Sequence, residues 1–409
     1  MKKLLFIAKF IPAPDFNGGA KRNRAWIRFL SNYFDLIVVG FWDKKYGNNR
    51  VHELEKYVSK IEGVNFSRTK LSLAKLCMRS LIQNSSILLK QYHSPVLSQK
   101  ISSLLSNEEI DCIFCAELSS TQYIPQECKI PIIFDDHNIE YELVARNASK
   151  TLYPLKFFYE REAFLLKKYE EKIWDDVDMI SFVSQRDELI CKNTTPNACS
   201  CVVENTYNNE FISISDEWFE NPTLLFVGNI SWKPNRQGLK HFLISIYPRI
   251  KKKVSSVKLY IIGSGMTKSL QKLCNDGSII ILENIEEEKK RKLISMSWLC
   301  IVPVYWGSGT RIKILEYWAN GKTVVATTIG AEGLDISQGT KITDTDEGFF
   351  EATVDALSDK NKLFLQGMEN KKLFETKYEE SRVYENTLYN TIAAKCFREN
   401  KNSEHIKDI

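Results

Sequence analysis

Residues 298–332 run WLCIVPVYWGSGTRIKILEYWANGKTVVATTIGAE, and their order predicts strand, glycine loop, helix, strand. Residues 298–304 are apolar and β-rich, as a strand buried on both faces should be. Gly307, Ser308 and Gly309 break that strand and leave backbone N–H groups to be satisfied. Thr310 is the expected N-cap of a helix reaching Asn320, with Gly321 as its C′ residue. Ile312, Leu315 and Ala319 fall on one side of this helix, as a core face. Arg311, Lys313 and Glu316 are the polar residues of its first two turns. A glycine loop that opens a helix beside two cations suits an anionic ligand such as a diphosphate. Val324, Val325 and Ala326 form the next buried strand, which completes a βαβ unit. A G-S-G loop before a helix is common in α/β proteins, however, and cations in a first turn are often merely solvated.

Around this stretch the chain is ordinary in composition. It has 409 residues, 44% hydrophobic and 26% charged, which fits two or three soluble domains each with its own core. A net charge of +5 admits an anionic membrane surface or a phosphorylated substrate, and gives no reason to expect nucleic acid. The apolar run after Lys3 stops at Lys9, too short for a signal peptide, so the expected address is cytoplasmic, with or without peripheral contact at the inner face of the cell membrane. Ten cysteines are scattered, and the Cys112-x-x-Cys115 pair stands alone inside an apparent strand. Buried reduced thiols are expected there.

The first half alternates strands and helices. Residues 3–8 read as a strand, residues 11–19 as a loop with Gly18 and Gly19, and residues 20–30 as a helix whose start carries Lys21, Arg22 and Arg24. Glycines and a basic helix start beyond a strand make an anion-facing crevice, though the glycines alone also read as a plain turn. Residues 71–90 are helical, apolar and flanked by cations. They either rest on a membrane surface or pack on the sheet. The strand at 130–134 ends in Asp135-Asp136-His137-Asn138-Ile139-Glu140. His137 lies where open α/β sheets place ligands, and a histidine that only caps a helix is the competing reading. Residues 154–174 form a long helix, and the polar stretch 206–221 is the expected linker. In the second half a strand at 223–227 leads into Gly228, Asn229 and then Pro234, which suits a first helical turn. Gly263-Ser264-Gly265 lacks the rest of a dinucleotide fingerprint. Asp344-Thr345-Asp346 precedes a helix start and reads as a cap rather than a metal site.

Residues 303–334 resemble the donor-site segment of retaining glycosyltransferases of the GT-B fold, written P-x-x-x-G-S-G-T-R-x-K-x-L-E-x-x-A-x-G-K-x-V-V-x-T-x-x-G-A-E-G-L. Phe226–Asn235 resembles that family's F-V-G-x-x-x-W-x-P-N, and residues 135–140 its D-x-H-N-x-E. The resemblance implies an α/β protein of two Rossmann-like domains with parallel sheets facing across a cleft. Residues 1–205 would form the acceptor-side domain and 222–377 the nucleotide-sugar domain, with a helix at about 378–398 crossing back. It also implies roles. Glu316 would accept the ribose hydroxyls, and Gly307, Ser308, Gly309 and Thr310 would wrap the diphosphate. Arg311 and Lys313 would neutralise it. Gly228, Asn229 and Glu332 belong to the matched motifs of the same site. His137 would be the catalytic residue of the first domain, with Gly18, Gly19, Arg22 and Asn138 lining the acceptor side.

The expected reaction is transfer from a UDP- or GDP-linked sugar to a glycan or lipid-linked acceptor, with no cofactor and no metal, in bacterial surface polysaccharide synthesis. Many relatives carry two glutamates seven residues apart, and here the first position is Ser308. A nucleotide-sugar epimerase of the same architecture and a non-catalytic nucleotide-sugar-binding protein are the alternatives. Exchange of Glu316 for glutamine is expected to weaken nucleotide binding and leave stability nearly unchanged.

Overall fold

A computed structural model describes residues 1–12, 17–42, 52–66, 70–149, 151–208, 217–307 and 309–384. They form two compact units. One is built on Met1–Glu204 with a return from Val383, and the other is Asn205–Arg382.

The first unit is a seven-stranded parallel sheet in the order β3-β2-β1-β4-β5-β6-β7. Its strands are β1 (Lys2–Phe10), β2 (Phe34–Trp42), β3 (Lys60–Asn65), β4 (Cys112–Ala116), β5 (Ile132–Asp136), β6 (Met179–Phe182) and β7 (Ser200–Val202). Side chains alternate between the two faces of a strand. In β1, Leu5 and Ile7 join one buried cluster while Leu4, Phe6 and Ala8 join another. Both faces are covered, which is why these strands read as continuous apolar runs. Cys112 and Cys115 lie in this layer, and burial pushes the Cys115 thiol up to about 12.

The Gly18–Leu30 helix covers one face. Asn17 caps it by accepting the Ala20 N–H at 2.8 Å. Gly18 and Gly19 therefore open the helix rather than forming a loop ahead of it. Trp26 and Phe29 of this helix pack on Tyr384, with ring centroids 5.1 and 5.0 Å apart. Residues 380–384 are helical, and the rest of the expected final helix lies outside the described residues. The single helix expected over 71–90 is two. Lys70–Gln83 ends at Asn84, whose φ is +49°, and Ile87–Lys90 restarts after Ser86. The restart is held by the buried Glu162, which accepts from Ser86 Oγ at 2.9 Å and the Ile87 N–H at 2.8 Å.

The second unit is a six-stranded parallel sheet in the order β10-β9-β8-β11-β12-β13. Its strands are β8 (Thr223–Val227), β9 (Lys258–Ile262), β10 (Ile279–Leu282), β11 (Leu299–Val302), β12 (Thr323–Ala326) and β13 (Thr340–Ile342). Leu224 and Phe226 face one cluster, Leu225 and Val227 the other. The expected linker at 206–221 begins inside this unit, because Tyr207 is buried and bridges to Glu379. Residues 209–216 lie outside the described residues.

The Lys233–His241 helix sits against the exit of β11 at Gly238. A Cβ at that position would lie 1.7 Å from the Pro303 carbonyl oxygen. Alanine normally favours a helix interior by about 1 kcal/mol over glycine. Here the backbone contact reverses the sign, and Gly238→Ala is expected to destabilise the unit by about 1–3 kcal/mol. A lowered urea midpoint checks this, and a midpoint at or above wild type contradicts it.

Candidate active site

Both sheets reverse their strand order once, between β1 and β4 and between β8 and β11. The C-terminal ends of strands at such a reversal leave a crevice that neighbouring helices do not fill. The sequence-predicted polar residues collect at these two ends.

In the second unit, Gly228 follows β8 and its N–H donates to the Ile262 carbonyl at 2.9 Å. Asn229 Oδ1 accepts the Ser231 N–H at 2.9 Å, which folds the turn back toward Trp232. Asn235, buried one turn into the next helix, donates to the Asn229 carbonyl at 2.9 Å. Its Oδ1 accepts from Lys313 Nζ at 3.0 Å. The same ammonium stands 4.5 Å from the Phe226 ring centroid. A Cβ at Gly228 would come within 2.7 Å of Lys313 Nζ, so the glycine makes room for the cation.

Arg311 is buried, donates Nη1 to the Gly309 carbonyl at 2.7 Å, and lies 5.0 Å over Trp232. Gly307 has a φ of +131°, and a Cβ there would meet Arg311 Nη2 at 2.7 Å. The glycines on either side of Ser308 thus shape the turn around the guanidinium. Ser308 itself lies outside the described residues. Glu332 is half-buried just after the Ile329–Ala331 turn.

Three details differ from the sequence reading. Thr310 does not cap the helix. Its hydroxyl is engaged by Asn205 Nδ2, and the helix spans Ile312–Ala319 with Arg311 at the N-cap position. Next, the helix is buried all round rather than on one face. Tyr317 Oη accepts the Val227 N–H at 2.8 Å, and Trp318 Nε1 donates to Thr340 Oγ1 at 2.9 Å. Finally, Glu316 is no surface carboxylate. Its Oε1 pairs with Lys290 Nζ at 2.7 Å and lies 3.4 Å from Tyr207 Oη, all of them buried. Burial opposes the Lys290 charge, but Glu316 and Glu287 outweigh it and hold that ammonium above its ordinary range. Removing one member of a buried pair leaves a desolvated charge behind. The expectation that Glu316→Gln leaves stability unchanged is therefore corrected. Lys290 sits on the separate helix Glu287–Met296, in a run of glutamates followed by lysines and an arginine that gave no sign of burial.

The Asp344-Thr345-Asp346 run is occupied by structure. Thr345 caps the Asp346–Ser358 helix through the Gly348 N–H at 3.0 Å. Asp344 accepts from Thr328 N at 2.8 Å and Oγ1 at 2.7 Å, and Asp346 lies 2.6 Å from His241 Nε2.

In the first unit, His137 follows β5 and is buried. Its Nε2 lies 2.8 Å from Asp135 Oδ2, and its Nδ1 lies 3.9 Å from Glu117 Oε1. Asp135 is held in turn by Arg22, whose Nε and Nη2 donate at 2.9 and 2.6 Å. Arg22 Nη1 also donates to the Val203 carbonyl at 2.8 Å. Burial alone would raise the Asp135 carboxyl, but Arg22 and His137 bring it well below the carboxylate range. Arg22 is thus a brace for the Asp135–His137 pair, where an acceptor-lining residue was expected. Asn138 is half-buried in the turn beyond, ahead of the Glu140–Ser149 helix.

Glu117 escaped the sequence reading. It follows β4 with a φ of +70°, which is uncommon for a residue with a side chain. Such conformations persist where the surroundings enforce them, often at functional sites. Here Lys9 of β1 forms an ion pair with Glu117, and a Cβ on Gly19 would lie 3.4 Å from its Oε1. Burial opposes its ionisation, yet Lys9 and His137 keep the carboxyl below its ordinary range. A lone glutamate after a strand carries no sequence signal of its own.

Comparisons with known proteins agree with this architecture. Sucrose-phosphate synthase from Thermosynechococcus elongatus has the same fold, with a TM-score of 0.73 at 12% identity over 94% of this chain and 97% of that one. Anabaena HepE, solved with UDP and glucose, superposes with a TM-score of 0.64 at 13% identity over 96% of this chain and all of that one. TarM of S. aureus gives 0.68 at 11% identity over 94% and 98%. The fold is GT-B. Residues 221–359 match the family of glycosyl transferases group 1, which covers the second unit's site. The match is thus confined to the second unit, where residues 221–359 carry a domain similar to that family. A Klebsiella pneumoniae protein encoded in the cps region is 22% identical over 363 residues, covering 84% of this chain and 87% of that one.

Lys313 carries a pH signature. Burial, and next the charge of Arg311, lower its pKa to about 7. Unfolded lysine titrates near 10.4. Between those values the unfolded state binds the extra proton, so this group's contribution to stability rises with pH from about 7 to about 10.4. An anion brought to Lys313 reverses the shift. Nucleotide-sugar affinity is expected to fall as pH rises above about 7, and Lys313→Met should abolish that slope. Calorimetric titration between pH 6 and 9 reads it, and an equal slope in both proteins would contradict the assignment.

Proposed function

We propose that this protein is a glycosyltransferase that carries a sugar from a UDP- or GDP-linked donor to a glycan or lipid-linked acceptor, with retention at the anomeric carbon and without a divalent metal, in bacterial surface polysaccharide synthesis. The observation that carries the donor reading is the convergence of Arg311 and Lys313 on the glycine-shaped turn at the β8–β11 reversal. UDP in the HepE and TarM crystals supports a nucleoside diphosphate as leaving group. The cps-region relative supports the polysaccharide setting.

Transfer breaks the bond between the anomeric carbon and the diphosphate oxygen, and the charge that builds on the diphosphate must be met. Two cations and fixed backbone N–H groups in a dry pocket meet it without reorganising. Lys313, half neutral when the pocket is empty, takes up its proton as the anion arrives. Glu316 is oriented by Lys290 and Tyr207, and a carboxylate has about four acceptor positions, enough for ribose hydroxyls as well. In the first unit Arg22, Asp135 and Glu117 fix the imidazole of His137, which presents a donor to an acceptor-side hydroxyl or to developing charge.

Mass spectrometry of an EDTA-treated assay tests the reading. Sugar should move to acceptor only when acceptor is present, whereas isomerised donor without acceptor would mark an epimerase. His137→Ala is expected to lower turnover by about a hundredfold while leaving the nucleotide Kd within a factor of about two. Unchanged turnover with an intact circular dichroism spectrum removes His137 from the reaction. Glu316→Gln should weaken nucleoside diphosphate binding by about ten- to a hundredfold. It should also cost about 3 kcal/mol of stability, since Lys290 loses a buried partner and keeps only Glu287. Affinity is therefore measured by calorimetry well below the melting temperature. Equal affinity in the two proteins would place the ribose elsewhere.

A further inference from the structure

Two helices of the first unit bury a polar side chain and also carry apolar ones on an outward face. In Lys70–Gln83, Ser80 is buried to 1% exposure while its neighbours Leu81 and Ile82 stand open, Ile82 to 80%. Met78 is exposed on the same side, and spacing at i, i+3 and i+4 puts the three on one face. In Leu155–Asp176, Glu162 is fully buried while Phe157 is 65% exposed. Tyr153, Phe157 and Phe164 follow one exposed stripe at intervals of four and seven residues. Glu162 points inward and caps the restart at Ser86 and Ile87.

The two faces adjoin. Arg161 lies within the aromatic stripe, and its Nη2 donates to the Ser80 carbonyl at 3.1 Å. Lys156 stands 5.4 Å from the Tyr153 ring and Lys168 stands 5.4 Å from the Phe164 ring. Lys75 and Arg79 are exposed beside Met78. Glu160, 3.8 Å from Lys156, interrupts this rim. From Phe66 to Asn107 the sequence carries six lysines and arginines and no carboxylate.

We infer that this joint face of Lys70–Gln83 and Leu155–Asp176 docks the first unit on an anionic lipid bilayer. Aliphatic and aromatic side chains on one face with lysines and arginines around them suit the boundary between headgroups and acyl chains. The apolar groups enter that boundary, the cations keep their heads at the phosphates, and their stems add contact. Charge decides the occupant. Lys75, Arg79 and Lys168, exposed around the apolar side chains, are drawn to anionic headgroups and outnumber Glu160 on the rim. A second copy of this chain would set the same cations against one another. Among the described residues no helix is long and apolar enough to cross a membrane, so the contact is peripheral. The inference does not rest on the donor or the reaction.

Sedimentation of the full chain with extruded vesicles tests it. Phosphatidylglycerol–phosphatidylethanolamine vesicles should bind at least tenfold more tightly than phosphatidylcholine vesicles, and 0.5 M salt should weaken that binding several-fold. The double variant Leu81→Glu with Ile82→Glu should lose at least tenfold, and so should Phe157→Glu. These side chains are exposed, so melting temperature and transfer to a soluble acceptor should stay as in wild type. Failure of transfer with intact vesicle binding would count against the proposed reaction alone. Absence of binding to anionic vesicles, or equal binding by the variants, overturns the docking surface. A dimer in analytical ultracentrifugation that the same variants abolish would assign the face to a second copy and overturn it as well.

Discussion

A parallel sheet covered on both faces leaves one place for charged chemistry, the ends of its strands. Every strand from β1 to β13 pairs in parallel, and the middles of β1 and β8 send alternate side chains into opposite apolar clusters. A charge there would be desolvated with nothing to pair with. Where strand order reverses, the flanking helices diverge and the C-terminal ends open. Lys9, Glu117 and His137 stand at one such opening, and Gly228, Arg311 and Lys313 at the other. The two sites share a cause, although their residues share no motif.

The two openings handle charge in opposite ways. At the first unit's opening Arg22 pairs with Asp135 and Lys9 with Glu117, and His137 lies against Asp135. That set is complete in itself, and its product is a fixed imidazole. In the second unit burial, and next the charge of Arg311, lower the pKa of Lys313. Two neighbouring cations are unfavourable alone and become favourable around an anion. Glu316 is paired with Lys290, and its charge offsets the depression of Lys313 only in part. The contrast separates a unit arranged to hold a group still from one arranged to receive negative charge.

Behind His137 a third arrangement appears. Burial raises the carboxyls of Asp136 and Glu170 well above the ordinary range, and the charge of Asp136 adds to the rise at Glu170. Glu170 accepts the Glu140 and Tyr141 N–H groups at 2.9 and 3.2 Å, and Trp174 Nε1 donates to Asp136 at 3.2 Å. These acids tie the end of β5 and the start of the Glu140–Ser149 helix to the Leu155–Asp176 helix. The turn bearing His137 is thereby braced from behind as well as by Asp135. A carboxylate used as an internal strut recurs at Glu162, which holds the restart at Ser86 and Ile87.

Strand positions, the βαβ alternation and the glycine loop were legible in the sequence because they depend on local patterns. Apolar runs, glycine breaks and the G-S-G-T-R-x-K-x-L-E string each act within about a dozen residues. His137 was legible for the same reason, as a polar residue just past a buried run. What the tertiary structure alone decided were partnerships between distant residues. Glu316 with Lys290, Arg22 with Asp135, and Glu117 with Lys9 are each brought together by sheet order. Nothing in the spacing of these pairs along the chain marks them. Burial of the Ile312–Ala319 helix on all sides was hidden as well, since Tyr317 and Trp318 carry polar atoms that only a folded neighbour can satisfy. The outward face of Lys70–Gln83 was open to two readings in sequence, because periodicity defines an apolar face and not the direction it points. That direction was decided by the fold, which buries Ser80 and leaves Met78, Leu81 and Ile82 outward.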